Sequence, residues 1–278
     1  MITIHVDRCS ACGLCVKNCH EYSLALVEGT VQVDRTLCDD CAQCIAICPQ
    51  HALSWDGVPP TAFDRSLLPS SDQLLELFKE RHSIRVFKKV PIKRALLEEI
   101  ANTGAYAPTH NHLFKVIIVD DPSLISQLSD FVLSINRRIY HLVYSNRLVA
   151  GLANLLGYRD EFRKAQPKIE KALSRGSAFS STPTALMIVV GKKNISLAEA
   201  SAQYALANMM YYAQIRGVGT CLWGNAPIFL DKDRVVRRQL GIAPSERIYG
   251  ALYMGLPAIK FANKVNGKTL PIQWNATG

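Results

Sequence analysis

The sequence lacks the segments that would place a chain in a membrane or mark it for export. Its 278 residues contain no uninterrupted apolar run of the ~18 residues that a membrane span needs. The start, MITIHVDRCSACG, has neither the basic opening nor the apolar stretch of a signal peptide. We therefore expect a cytoplasmic protein whose thiols stay reduced and available to metals.

Nucleotide and nucleic-acid signatures are also missing. The sequence has no Gly-x-Gly-x-x-Gly after a strand pattern, so a doubly wound dinucleotide domain is not expected. It has no Lys/Arg block interleaved with aromatic residues, so nucleic acid is not an expected partner. Charge is uneven, because residues 1–57 carry a net charge of −4 within a chain of +9. The basic remainder favours an acidic redox partner, an anionic substrate, or simply a solvated surface.

The placement of cysteine divides the chain, because eight of its nine cysteines precede residue 49. A Cys-x-x-Cys-x-x-Cys-x-x-x-Cys run occurs twice, 29 residues apart. With this spacing, three thiolates reach one iron–sulfur cubane and the fourth reaches the other cluster. It predicts two [4Fe–4S] clusters, one held by Cys9, Cys12, Cys15 and Cys48 and the other by Cys38, Cys41, Cys44 and Cys19. Zinc is the alternative, but zinc sites use paired Cys-x-x-Cys with a long gap.

Residues 1–57 resemble a bacterial two-cluster ferredoxin. Pro49 follows Cys48 as that family's motif expects, whereas His20 stands where the other proline would be. An alternating stretch, SLALVEGTVQVD, predicts a hairpin, and HALSWDG predicts a matching strand. We expect a pseudo-twofold α+β module here.

Residues 58–73 are rich in Pro and Ser and predict a linker, within which Leu67 and Leu68 are candidates for packing between an acidic head and a basic body. Residues 74–278 mix helix and strand patterns, which predicts an α+β body around a buried Ala/Met-rich helix. Asp72 is the predicted cap of the first helix. The predicted strands are KVIIVD, TALMIVVG, TCLWG and IYGALYMG, and residues 123–176 are predicted to be largely helical.

The run from Arg81 to Arg85 puts two guanidiniums, an imidazole and a hydroxyl into five residues. Such a cluster suits a phosphate and a polar ring edge, and an exposed basic turn is the alternative. Four segments in order resemble the nitroreductase family of FMN enzymes: Arg81–Phe87, Ala107–Asn111, Gly217–Gly224 and Gly255–Phe261. The resemblance covers residues 74–265 and implies an FMN-dependent, nitroreductase-like α+β domain that forms a homodimer with flavin at the interface.

The resemblance also implies roles for individual residues. Arg81, His82, Ser83 and Lys260 would hold the phosphate end of FMN, and Arg85 would face the N1/O2 edge of the flavin. Backbone near Trp223 and Gly224 would approach the N5 side. Pro108, Thr109 and Asn111 would come from the partner subunit. His110 and His112 are candidate proton donors, with exposed or structural histidines as the alternative, and Cys221 is expected in the core.

Together the two parts suggest a converter from one-electron to two-electron chemistry. Electrons would pass from a donor such as ferredoxin or flavodoxin through the clusters to FMN, which would reduce a small organic substrate by hydride transfer. Two alternatives remain. The flavin could serve a partner protein in electron transfer or redox sensing, or the chain could run in reverse as a dehydrogenase. NAD(P)H also remains possible as a donor.

Overall fold

The computed structural model describes residues 1–108, 114–144, 159–224 and 226–274. Its N-terminal part, here called the head (residues 1–57), is built from short strands and helices. The strands are β1 (Ile2–Ile4), β2 (Leu24–Val27), β3 (Thr30–Val33) and β4 (Leu53–Trp55), and the helices are α1 (Leu14–Asn18) and α2 (Gln43–Ile47). β2 and β3 form the predicted hairpin, and β4 confirms the predicted strand. Its antiparallel partner is β1, which the sequence analysis did not assign.

The internal repeat is visible in the backbone of the head. Four pairs of residues adopt left-handed conformations 29 residues apart: Ala11 and Asp40, Gly13 and Ala42, Tyr22 and His51, and Glu28 and Gly57. Residues other than glycine rarely adopt this conformation, because their Cβ atom crowds the backbone. Its recurrence at unlike residues shows that the two halves share a loop shape which local preference alone does not produce.

The body is built on a four-stranded antiparallel sheet. Its spatial order is β5 (Phe114–Val119), β6 (Ala185–Lys192), β8 (Glu246–Gly255) and β7 (Gly219–Leu222). The central strands β6 and β8 are buried along nearly their whole length. Strands covered on both faces read as continuous apolar runs, which is why their sequence patterns were clear. All four predicted strands are confirmed.

Helices cover both faces of this sheet. They are α3 (Ser71–Glu80), α4 (Arg94–Asn102), α5 (Pro122–Ile139), α6 (Arg159–Arg175), α7 (Ala198–Ile215), α8 (Ala226–Lys232) and α9 (Arg234–Gln239). On one face α4 and α7 pack with Met187 and Val189 of β6. On the other, α5 and α8 pack with Leu186 and Ile188. The α+β body around a buried helix is therefore confirmed. Among the helices described, none combines the length and apolar character required to cross a bilayer.

Two local predictions were wrong. Helix α3 starts before Asp72, and its N-cap is Ser70. Ser70 Oγ accepts a hydrogen bond from Gln73 N–H at 3.2 Å, and Gln73 Oε1 accepts one from Ser70 N–H at 2.8 Å. This reciprocal capping box satisfies two free donors, which a single Asp does not. In addition, Leu67 and Leu68 are 79% and 66% exposed, so they do not pack in the single chain.

Candidate functional site

Six of the eight repeat cysteines lie in or against the apolar core of the head, whereas Cys12 and Cys41 are exposed. Cys15 and Cys44 lie in the first turns of α1 and α2 and are buried in the head's core. Burial raises the pKa of Cys15, and the nearby thiols of Cys48 and Cys12 add to the effect. Burial likewise raises the pKa of Cys44 to about 12, and the Cys41 thiol is the next-largest cause of this increase. Cys48, from the second repeat, therefore influences the Cys15 thiol of the first repeat, which is compatible with the predicted crossing.

The second predicted set of thiols surrounds one cavity. Its volume is about 150 Å³, and its lining includes Cys19, Cys38, Cys41 and Cys44. In the described part of the chain, no three His, Cys, Asp or Glu side chains converge on one metal ion. A cubane needs a wider arrangement, because each thiolate bonds a different iron. The residues present therefore fit a cluster bound across the two repeats.

Hydrogen bonds reach the two sulfurs that cross between repeats. Cys19 Sγ lies 3.2 Å from Ser23 Oγ, and Ala52 N–H donates to Cys48 Sγ at 3.3 Å. At Cys19 burial raises the pKa, but the Ser23 hydroxyl and neighbouring backbone groups outweigh it, so the pKa lies below its ordinary value. Hydrogen bonds of this kind favour the thiolate, which is the form that binds metal.

In the body, the Arg81–Phe87 segment is held between the edge strand β7 and the chain that follows β8. Ile84 N–H donates to the Thr220 carbonyl at 3.0 Å, and Lys88 N–H donates to the Leu256 carbonyl at 2.8 Å. Three of the four resemblance segments are therefore in contact with one another.

Two glycines permit this close approach. A Cβ on Gly219 would lie 2.7 Å from Ile84, and a Cβ on Gly255 would lie 2.8 Å from Phe87. Both distances are shorter than carbon atoms tolerate without displacement. The glycines of the two segments are thus explained by packing against the Arg81–Phe87 segment.

The polar side chains of this segment lie next to the final segment of the body. The His82 ring stacks on Phe261 with centroids 4.4 Å apart, and His82 Nδ1 is 2.7 Å from the Glu80 carbonyl oxygen. Arg81, half-buried, caps the end of α3. Lys260 is exposed and precedes Phe261 in the chain. The predicted phosphate-end residues therefore lie in one region.

A cleft of about 480 Å³ opens beside these residues, where α3 and α7 end. Small-molecule pockets usually have volumes of roughly 300–1,000 Å³. Its lining includes two lysines, Lys88 and Lys260, one acidic residue, Glu80, and the apolar residues Ile84 and Phe261. The sequence analysis did not predict Lys88 as a residue of the site. Its position directly after the Arg81–Phe87 segment could have indicated it. The cationic lining fits an anionic ligand such as a phosphate ester.

Sequence reasoning also missed Tyr253, which is buried below Arg85. Its ring packs on Phe179 at a centroid distance of 5.2 Å. Burial raises the pKa of Tyr253, contact with Cys221 raises it further, and the Arg85 cation opposes both. Cys221 is buried in the core, as predicted.

The remaining predicted residues are placed only in part. Gly224 lies two residues after the end of β7 and has a φ of +31°, and a Cβ there would meet no atom within 4 Å. Pro108 is exposed after the turn that follows α4. Thr109, His110, Asn111 and His112 lie outside the described residues, so their predicted roles stay predictions.

The sequence profile of the nitroreductase family matches residues 78–256, which is more than half of the chain. The chain belongs to the nitroreductase family. The predicted resemblance to the nitroreductase family and the α+β fold of the body are confirmed.

Relatives match different parts of this nitroreductase-family chain. An NADPH-dependent oxidoreductase of Staphylococcus epidermidis is 36% identical over 62 residues, which are 22% of this chain and 25% of that protein. The chain thus matches only a quarter of that relative's length. YfhC of Bacillus subtilis, named as a predicted NAD(P)H nitroreductase, is 24% identical over 191 residues, covering 66% of this chain and 84% of YfhC. A ferredoxin of Pyrobaculum islandicum is 30% identical over 93 residues, covering 30% of this chain and 87% of that protein.

Solved structures share the fold of the nitroreductase body. A nitroreductase with bound FMN from Desulfitobacterium hafniense superposes with a TM-score of 0.55 over 72% of this chain and 97% of that chain. The two sequences are 16% identical, so this likeness shows the fold.

Proposed function

We propose that the chain is an iron–sulfur flavoprotein oxidoreductase. Electrons from a one-electron donor enter two [4Fe–4S] clusters in the head and reach FMN in the body, which reduces a small organic substrate. The observation that carries this proposal is the presence, in one nitroreductase-family chain, of a four-thiol cavity and a cationic cleft. The ferredoxin relative, which matches 30% of this chain, supports the first part.

The head's residues would supply thiolates and protect the clusters. Cys15 and Cys44 lie in the apolar core of the head, so they face little water. Their raised pKa values mean that cluster binding must release protons from them. Cys19 and Cys48 would each tie one repeat to the cluster of the other, so the two halves of the head would be crosslinked through metal.

The body's residues would hold FMN by its phosphate and by its polar ring edge. Arg81, His82, Ser83 and Lys260 would donate charge-assisted hydrogen bonds to the phosphate, and Phe261 fixes the His82 ring by stacking. Arg85 would place a cation near the N1/O2 edge, where it stabilises negative charge. When bound, FMN supplies hydride transfer from N5.

We also propose a homodimer, supported by an apolar surface that the single chain leaves uncovered. Within the described residues, no side chain of α3 is buried, although Leu74, Leu75 and Phe78 form an apolar face 40–48% exposed. The ring of Phe78 packs edge-to-face on the ring of Tyr211 in α7, with ring centroids 5.1 Å apart. Ile215, also in α7, is 66% exposed. A ten-residue helix is marginal alone in water, so packing against a second copy would stabilise it.

The last described residues are also apolar and exposed. Leu270, Ile272 and Trp274 are 77–87% exposed and belong to no helix or strand. Exposed apolar groups of this size are typical of segments that pack against another chain. A second subunit would cover them, which supports the same dimer.

The electron path is tested by anaerobic stopped-flow reduction of the flavin in two cysteine variants. Cys41→Ser removes a proposed cluster ligand, whereas Cys221→Ser changes the buried cysteine that is not one. We expect reduced ferredoxin to bleach the flavin in wild type and in Cys221→Ser but not in Cys41→Ser. NADPH, which the names of two relatives suggest as a donor, should act directly on FMN in all three proteins.

Equal ferredoxin-driven rates in Cys41→Ser and wild type would show that electrons bypass the clusters and would overturn the path. If NADPH reduction alone is observed in wild type, the chain is a nicotinamide-dependent nitroreductase in which the head does not serve as the entry.

A further inference from the structure

The lining of the four-thiol cavity is more polar than the internal repeat predicts. Besides cysteine, its lining includes six polar residues: Asn18, His20, Glu21, Ser23, Asp39 and Gln43. Their counterparts, 29 residues away in the repeat, are Ile47, Pro49, Gln50, Ala52, Ser10 and Leu14. Four of these six counterparts cannot donate a side-chain hydrogen bond, so the two proposed cluster sites differ in polarity although their backbones are alike.

Ser23 is the member of this lining that contacts a predicted ligand directly. Its side chain is buried, with 4% of the residue exposed, and Ser23 Oγ lies 3.2 Å from Cys19 Sγ. A buried hydroxyl requires a hydrogen-bond partner. When Cys19 binds iron it is a thiolate, which can only accept, so Ser23 would be the donor. At the equivalent place Ala52 offers Cys48 only its backbone N–H, at 3.3 Å.

We propose that the Ser23 hydroxyl raises the reduction potential of the cluster held by Cys38, Cys41, Cys44 and Cys19. The proposal rests on the proposed function, since it requires that the clusters are present. Reduction adds one electron and makes the ligand sulfurs more negative, so a hydrogen bond to one of them favours the reduced state. The first cluster lacks this hydroxyl.

The hydroxyl therefore biases an electron shared between the clusters. Transfer from the first cluster to the second oxidises the first by one electron and reduces the second by one, and Ser23 keeps its proton. The carboxylates of Glu21 and Asp39 in the same lining act in the opposite direction. Both are unchanged when Ser23 is replaced, so the substitution isolates the hydroxyl. We expect removal of the hydroxyl to shift the electron's distribution between the clusters about tenfold toward the first.

The test is a redox titration of the anaerobic holoenzyme, followed by electron paramagnetic resonance. Ser23→Ala should lower the reduction potential of the cluster that Cys19 helps to hold and leave the potential of the other cluster unchanged. Ser23→Thr keeps a hydroxyl, so both potentials should stay near their wild-type values. Ala52→Ser should raise the potential of the other cluster. Ser54→Ala is the matched control, because buried Ser54 pairs with His5 at 2.9 Å and contacts no ligand sulfur in any described bond.

Unchanged potentials in Ser23→Ala with a full iron content would overturn the assignment to Ser23, as would equal shifts of both clusters or a shift of equal size in Ser54→Ala. A wild-type protein without iron and acid-labile sulfide would instead remove the proposed function, and this inference with it.

Discussion

Replacing Gly219 with alanine tests whether the packing of β7 positions the proposed phosphate residues. The new Cβ would lie 2.7 Å from Ile84, so Ile84 must retreat by about 0.7 Å to reach the 3.4 Å of an ordinary contact. Overpacking of this kind costs about 1–3 kcal/mol of stability. The same retreat would lengthen a typical ~2.9 Å hydrogen bond from Arg81 or Ser83 to about 3.6 Å, beyond useful range. Loss of one charge-assisted bond, about 1.5–3 kcal/mol, predicts at least a ~10-fold weaker FMN affinity.

Flavin fluorescence titration of the FMN-free protein measures the affinity, and guanidinium unfolding measures the stability. Gly250→Ala is the matched control, because its Cβ would press on Leu206 at 2.5 Å, in the packing of α7 on β8 and away from the Arg81–Phe87 segment. It should lower stability and leave FMN affinity near wild type. If both variants lose affinity alike, or if Gly219→Ala binds FMN as wild type does, the packing argument is refuted.

Metal analysis after anaerobic purification should give about eight irons per chain, the content of two cubanes, whereas stoichiometric zinc without labile sulfide would contradict the clusters. Arg81→Ala and Lys260→Ala should each weaken FMN binding about 10-fold or more through loss of a charge-assisted contact, and flavin retained by both after gel filtration would remove the phosphate assignment. Phe78→Asp should shift light scattering from dimer to monomer, because it charges the uncovered face of α3; an unchanged mass would contradict that interface. A left-handed alanine costs ~1 kcal/mol of folding free energy relative to glycine, so Ala42→Gly should stabilise the head and Gly13→Ala should destabilise it by about that amount. The measurement is the guanidinium concentration at which the clusters bleach, which should rise in Ala42→Gly and fall in Gly13→Ala; a change of the opposite sign would count against the strain argument.

The parts of the fold that the sequence predicted share a strong local signal. The spacing of the cysteines follows from the chemistry of a cubane, and the buried strands β6 and β8 are too apolar to face water. The long helix α7 was recognised for the same reason. In contrast, α8 and α9 are seven and six residues long, too short for a reliable helical period, and were not predicted.

The missed parts of the site depend on tertiary contacts. Tyr253 reads as one more aromatic residue of a buried strand, and only the packing of β7 beside β8 brings it close to Arg85 and Cys221. The cleft lined by Glu80 and Lys88 likewise forms because the end of α3 lies close to the segment that follows β8. The residue pattern of one segment carries no information about its tertiary contacts with other segments.

Helix α3 has a further consequence, which concerns concentration. It ends at Arg81, the first of the proposed phosphate residues, yet its apolar face is uncovered in the single chain. If a second copy completes its packing, ordering of Arg81 and binding of FMN are linked to assembly by mass action. Dilution should then release flavin and separate subunits over the same range of protein concentration. Flavin content would therefore report the subunit equilibrium, and a dilute sample would contain less FMN than the chain can bind.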